Sequence, residues 1–156
     1  MRVSYGVGYT IRLPHAHPFP MGKYEALYRI IVEEGLLHPD DAIDPGEAAW
    51  SDLALVHTPA YLDALRNGGL TESEERRLGL PWSPALIRRS RMAVQGTIQA
   101  ARFALADGIA ANLAGGTHHA FPDHGEGYCV LNDVAVAVAV LRRSGETGRV
   151  LVVDLD

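Results

Sequence analysis

Apolar and polar positions along this chain follow two different periods, and the switches between them mark its elements. Between Lys23 and Glu34 the apolar residues Leu27, Ile30 and Ile31 recur at helical spacing, and Gly35 stops the run. Ala60 to Arg66 reads as a second helix, entered through His57-Thr58-Pro59 and ended by Gly68-Gly69. Thr71 to Arg77 is charged and predicts a surface helix whose Glu72–Arg77 run is a solvated face. Ser83-Pro84 offers an N-cap and a proline at the first helical position, opening a long helix that runs to Ala106 with Gly108 past its end. Pro14 to Pro20 is too rich in proline for a helix, because each proline removes a donor and restricts its neighbour.

Shorter apolar stretches predict strands at Arg2–Tyr5, Leu53–Val56 and Ala110–Leu113, the last leading into a glycine loop. Val150-Leu151-Val152-Val153 is a continuous apolar run, as expected of a strand covered on both faces of a parallel sheet. Val134 to Leu141 carries conflicting signals. Its Val/Ala alternation has strand period, whereas its alanines, Asn132 or Asp133 as cap and Arg142-Arg143 in the last turn favour a helix. We read it as a buried helix. Strands alternating with helices predict an α/β fold, an open, mostly parallel sheet with helices on both faces.

Composition narrows the function classes. At 156 residues, 47% apolar and 21% charged, the chain suits one ordinary globular domain. A net charge of −5 argues against a phosphate-backbone binder, so no nucleic-acid partner is expected, while a basic peptide remains compatible. The single cysteine, Cys129, excludes an internal disulfide and suits a reducing compartment. No signal core follows Met1 and no apolar run reaches membrane-spanning length, so the expectation is a cytoplasmic protein without a membrane partner.

Candidate chemistry concentrates in three motifs, Gly115-Gly116-Thr117-His118-His119-Ala120, Gly127-Tyr128-Cys129-Val130-Leu131-Asn132-Asp133, and Val150 to Asp156. Open parallel sheets bind ligands beyond the carboxyl ends of their strands. Asp154 and Asp156 fall at such an end, and their i, i+2 spacing puts both carboxylates on one side of a strand. A divalent ion would compensate that pair; capping of a following helix, or exposure to water, explains it equally well. Neutral imidazole is a suitable general base near neutrality, and a neighbouring carboxylate raises its basicity. Most His pairs are structural, but Gly125, Gly127, Tyr128 and Asn132-Asp133 close after His118-His119 outline a glycine-edged slot with an aromatic wall. Tyr128 reads either as that wall or as a core aromatic. Cys129 reads as a small buried packing residue, and His15 with His17 as part of a shaped pocket wall rather than as metal ligands.

In order and spacing these motifs closely resemble the zinc-dependent histone deacetylase superfamily, which includes acetoin-utilisation-type deacetylases and acetylpolyamine amidohydrolases. Residues 14–24 and 55–65 resemble the N-terminal half of its shorter, class IV-like members. The resemblance implies an arginase/deacetylase-like sheet. It implies His118 and His119 as the catalytic tandem histidines, with His119 the general base and acid. Asp156 would be a zinc ligand, and Asp154 would orient the first histidine and contribute to a site for a monovalent cation, K+. Gly127 and Tyr128 would hold the acyl-lysine stem, with Tyr where Phe is more usual. The implied substrate is an acetylated lysine peptide or a small acetylated amine, and the implied cofactor is Zn2+.

In that family Asp-x-Asp continues into His-x-Gly, and an aspartate and a tyrosine follow later; this sequence ends at Asp156. The expectation is therefore that residues 1–156 are the N-terminal portion of a single deacetylase-like domain, incomplete at the C-terminus. On its own such a portion would bind zinc weakly and show no deacetylase activity, because a catalytic zinc takes three protein ligands. A non-catalytic remnant or interaction module of the same fold is the alternative. A binuclear manganese hydrolase of the arginase type is a weaker one, disfavoured by the glycine-rich double-histidine loop.

Overall fold

A computed structural model describes residues 1–156. Three strands of two residues each form an open parallel sheet: β1 (Val3–Ser4), β2 (Ala42–Ile43) and β3 (Ala111–Asn112). β1 is central, pairing Val3 with Ala42 on one side and with Ala111 on the other. The helices are α1 (Lys23–Glu33), α2 (Trp50–Leu53), α3 (Pro59–Asn67), α4 (Glu72–Leu78), α5 (Pro84–Asp107) and α6 (Asp133–Arg143). α5 is the organising element and packs against α6, β1 and β3.

The helix boundaries have local causes. Thr58, Thr71 and Ser83 each accept a backbone N–H of the first turn of α3, α4 and α5, and Thr71 with Glu74 completes a capping box. Gly68, Gly79 and Gly108 close the same three helices in the left-handed conformation. The ambiguous Val134–Leu141 run is helical, capped by the Asn132 side chain on Ala135 N–H at 3.0 Å. Its alternate valines and alanines bury Val136, Ala137 and Val140.

The main core joins α2 to α6 through residues such as Leu53, Leu65, Leu86, Val94 and Leu131. A smaller cluster, built on Tyr5, Tyr9, Met21 and Tyr24, lies between α1 and α5. α1 departs from the expected pattern: Tyr24 is its buried residue, and Leu27 and Ile30 are exposed.

Two expected strands do not form. Leu53–Val56 is the end of α2 and the turn after it, where Ala54, Val56 and His57 N–H groups donate to carbonyls three or four residues back. Val150–Val153 makes no ladder, and its residues are 46–85% exposed. Strand preference is a preference for packing on a pleated surface, and it has no expression where no neighbouring strand supplies the ladder. The strand at Ala42–Ile43, too short to show a period, was not foreseen.

Candidate active site

β3 delivers the chain into the Gly115-Gly116 turn, and the backbone then passes Thr117, His118 and His119 across the opening of a cleft of about 770 Å³. A buried polar network fixes this path. The Asp133 carboxylate, 1% exposed, accepts Thr117 N–H at 2.6 Å and lies 2.8 Å from the Thr117 hydroxyl. Its other oxygen accepts the Thr97 hydroxyl at 2.5 Å. Asn112 donates to Thr97 Oγ1 and accepts the Tyr9 hydroxyl at 2.8 Å, so sheet, α5, loop and α6 share one set of hydrogen bonds. The Asn132 amide donates to the carbonyls of His118 at 3.1 Å and Ala120 at 3.0 Å.

The two imidazoles lie with ring centroids 4.1 Å apart. His118 Nε2 is 3.4 Å from Asp154 Oδ2 and 3.5 Å from Asp156 Oδ2, and His119 Nε2 is 3.4 Å from Asp156 Oδ2. The structure thus brings together the two histidines and two carboxylates singled out in the sequence, although Asp154 and Asp156 arrive on extended coil and not on a strand. Asp156 N–H closes a local turn on the Asp154 carboxylate at 3.0 Å. His118, His119 and Asp156 place their donor atoms within 4.8 Å of one another, a nitrogen and carboxylate-oxygen set of the type zinc takes. An imidazole nitrogen that takes a proton cannot also ligate a metal. With the histidines in proton transfer, Asp156 is the group here that fits zinc, one of the three protein ligands that a catalytic zinc takes.

Gly127 and Tyr128 line the cleft beside the histidines. Gly127 has φ +56°, and a Cβ there would press on the His119 ring at 3.2 Å, so the close approach requires glycine. Tyr128 also adopts a left-handed backbone, φ +65°, held by its N–H on Leu78 O at 2.8 Å. Its ring is partly exposed and packs 5.0 Å from Phe19, which makes it wall and not core. Phe19 is the residue of the proline-rich loop that lines the cleft; His17 stands behind Tyr128, bonded to Gly79 O at 3.0 Å, and His15 is exposed away from it. Cys129 is buried and burial pushes its thiol up, in keeping with a packing role.

Lys23, Tyr24 and Leu27 line the cleft from α1 and escaped the sequence reading, because helical spacing assigned Leu27 to the core. Behind Tyr24, the 2%-exposed Arg89 lays its guanidinium 4.7 Å over the ring and donates to Tyr9 O. His57 was also missed as part of this region, although a histidine closing the apolar Leu53–Val56 stretch is the signal of a buried polar group.

An open α/β domain with paired histidines and carboxylates in one cleft is the class that fold and site define. The chain matches the histone deacetylase domain family over residues 17–156, and it belongs to that family. It is 44% identical over 156 residues to an uncharacterised protein of Picosynechococcus, covering 99% of this chain and 51% of that protein. It is 30% identical to the acetoin utilization protein AcuC of Bacillus subtilis, covering 97% of this chain and 42% of the relative. A crystal structure of a histone deacetylase homologue complexed with SAHA superposes with a TM-score of 0.74 at 26% identity, over 92% of this chain and 41% of that one. The chain thus spans about half the length of the relatives it matches. No helix is long and apolar enough to cross a membrane.

Proposed function

We propose that residues 1–156 are the N-terminal portion of a single zinc-dependent deacetylase domain that hydrolyses the amide of an acetylated lysine or a related small acetylated amine in the cytoplasm. The observation that carries this reading is the convergence of His118, His119, Asp154 and Asp156 in the cleft that Tyr128 also lines, in a chain of the histone deacetylase family. Asp156 would hold the zinc, and Asp154 would orient His118 and contribute to a K+ site. When bound, zinc polarises the acetyl carbonyl and lowers the pKa of a water molecule. His119 takes the proton from the attacking water and returns it to the departing amine, so that the C–N bond breaks and acetate leaves. Gly127 leaves room for the lysine stem, and Tyr128 with Phe19 covers it from water.

The test is hydrolysis of an acetyl-lysine peptide and of an acetylated diamine by a chain that also carries the half present in the relatives. His119→Ala is expected to lower kcat roughly 10²–10⁴-fold, the usual contribution of a positioned acid–base group. Absence of turnover with both substrates, with zinc supplied, sinks the reading and leaves a non-catalytic interaction module of the same fold. For residues 1–156 alone the expected outcome is weak zinc binding that a competing chelator reverses; tight one-to-one binding with turnover would contradict it.

A further inference from the structure

We infer that His57 is a positioning residue for the double-histidine loop, acting through Asn132, and that the loop stays in place only while the His57 imidazole is neutral. The inference rests on the active-site reading above and names a residue outside it. His57 is 2% exposed at the entry to α3. Its Nε2 accepts the Asn132 backbone N–H at 3.0 Å, and its Nδ1 lies 3.3 Å from Pro122 O. A backbone N–H can only donate and a carbonyl can only accept, so the partners assign the tautomer: Nδ1 carries the proton and Nε2 the lone pair. Thr58 N–H adds a second bond to the same Pro122 carbonyl at 2.9 Å. One imidazole therefore ties together the start of α3, the loop after His119 and the start of α6.

Asn132 passes that constraint on. With its backbone held by His57, its side chain caps α6 through Oδ1 and donates through Nδ2 to the carbonyls of His118 and Ala120. A second proton on His57 would face its Nε2–H against the Asn132 N–H, donor against donor, and release that anchor. The Pro122 and Phe121 carbonyls against the imidazole favour its charged form, but burial outweighs them, and the side chains around it are engaged elsewhere. Tyr61 of α3 packs on the imidazole with ring centroids 5.8 Å apart, but its hydroxyl donates to Val130 O at 2.8 Å. In the loop, Asp123 pairs with His124 at 2.7 Å. At the start of α6, Asp133 is taken up by Thr117 and Thr97. Burial lowers the pKa of His57 from its ordinary value, which keeps the clamp closed at neutral pH.

The experiment is an NMR pH series on the 156-residue chain, reading the Asn132 side-chain amide and the Phe121 backbone amide, whose peptide group includes the Ala120 carbonyl that Asn132 holds. Unsubstituted protein is expected to shift both amides together on acidification. His57→Gln keeps one donor and one acceptor but does not titrate, so it should retain the neutral-pH positions and lose the joint acid shift. His57→Leu should show displaced positions already at neutral pH. A joint shift that survives in His57→Gln, or unshifted amides in a folded His57→Leu, overturns the inference. If the Leu variant does not fold, the Gln series alone decides. These readouts report loop geometry, not turnover, so their failure leaves the deacetylase reading standing, and a failed hydrolysis assay leaves them standing.

Discussion

At the scale of single residues, Tyr128 is one of two non-glycine residues with a left-handed backbone, the other being Ala16. A bulky side chain at φ +65° occupies backbone space that costs roughly 1–2 kcal/mol for an L-residue other than glycine. Such strain persists where the surroundings over-determine it, here the bond to Leu78 and the packing on Phe19. Tyr128→Ala removes the ring and keeps the strain, whereas Tyr128→Gly removes both. The Gly variant is therefore expected to be more stable than the Ala variant by about 1 kcal/mol in urea unfolding, the reverse of the order in a helix. Tyr61→Phe belongs to the same scale: it leaves the buried Val130 carbonyl without its 2.8 Å donor and should cost about 1–3 kcal/mol. The motif Gly127-Tyr128 was legible as slot or core, but the left-handed backbone was not, because residue type argues against it.

At the scale of elements, caps were the most legible feature and strands the least. Ser83-Pro84, Thr58-Pro59 and Gly108 mark the helix ends where the structure places them, since each satisfies orphan backbone groups within one turn. Ser83→Ala removes the 3.1 Å bond to Leu86 N–H and is expected to lower stability by about 1 kcal/mol on thermal or chemical unfolding. Leu53–Val56 and Val150–Val153 misled because a strand depends on partners remote in sequence. Gly96 shows the limit of propensity inside α5. Alanine normally improves a helix interior by about 1 kcal/mol, but a Cβ here would collide with the Tyr9 hydroxyl and meet Asn112 Oδ1 at 2.7 Å. Gly96→Ala should therefore destabilise the chain and break the contact between helix and sheet that supports Asp133.

At the scale of the whole molecule, the shifted groups that titrate below neutrality point in one direction. His57 is held neutral by burial, so the unfolded chain takes up its proton first as pH falls through the ordinary value of 6.5. The stability that His57 contributes is present above that value and is lost below it. Glu146, bonded to Arg102 and Ser144, is held down to about 2, and Asp107 is lowered by its bond to Arg2. These carboxylates add stability above their ordinary range that is lost on further acidification. Thermal melts across pH should show Tm falling in an early step near the histidine range and a later one in the carboxylate range. The early step should be absent in His57→Gln. None of this was visible in composition, which records charge but not which groups are buried or bonded.

The unpaired run from Val150 to Leu155 has a consequence for any attempt to dissect the site. Four exposed apolar residues in a row, of the kind that stacks into cross-β fibrils, are followed by the two carboxylates that face the histidines. Between Val150 and Asp156 those carboxylates are the only side-chain charges, and charges flanking an apolar run oppose its self-association. Neutralising Asp154 or Asp156 to probe cation binding removes that repulsion in the same stroke. A lost signal in such a variant means a lost ligand only where light scattering shows the protein still monodisperse.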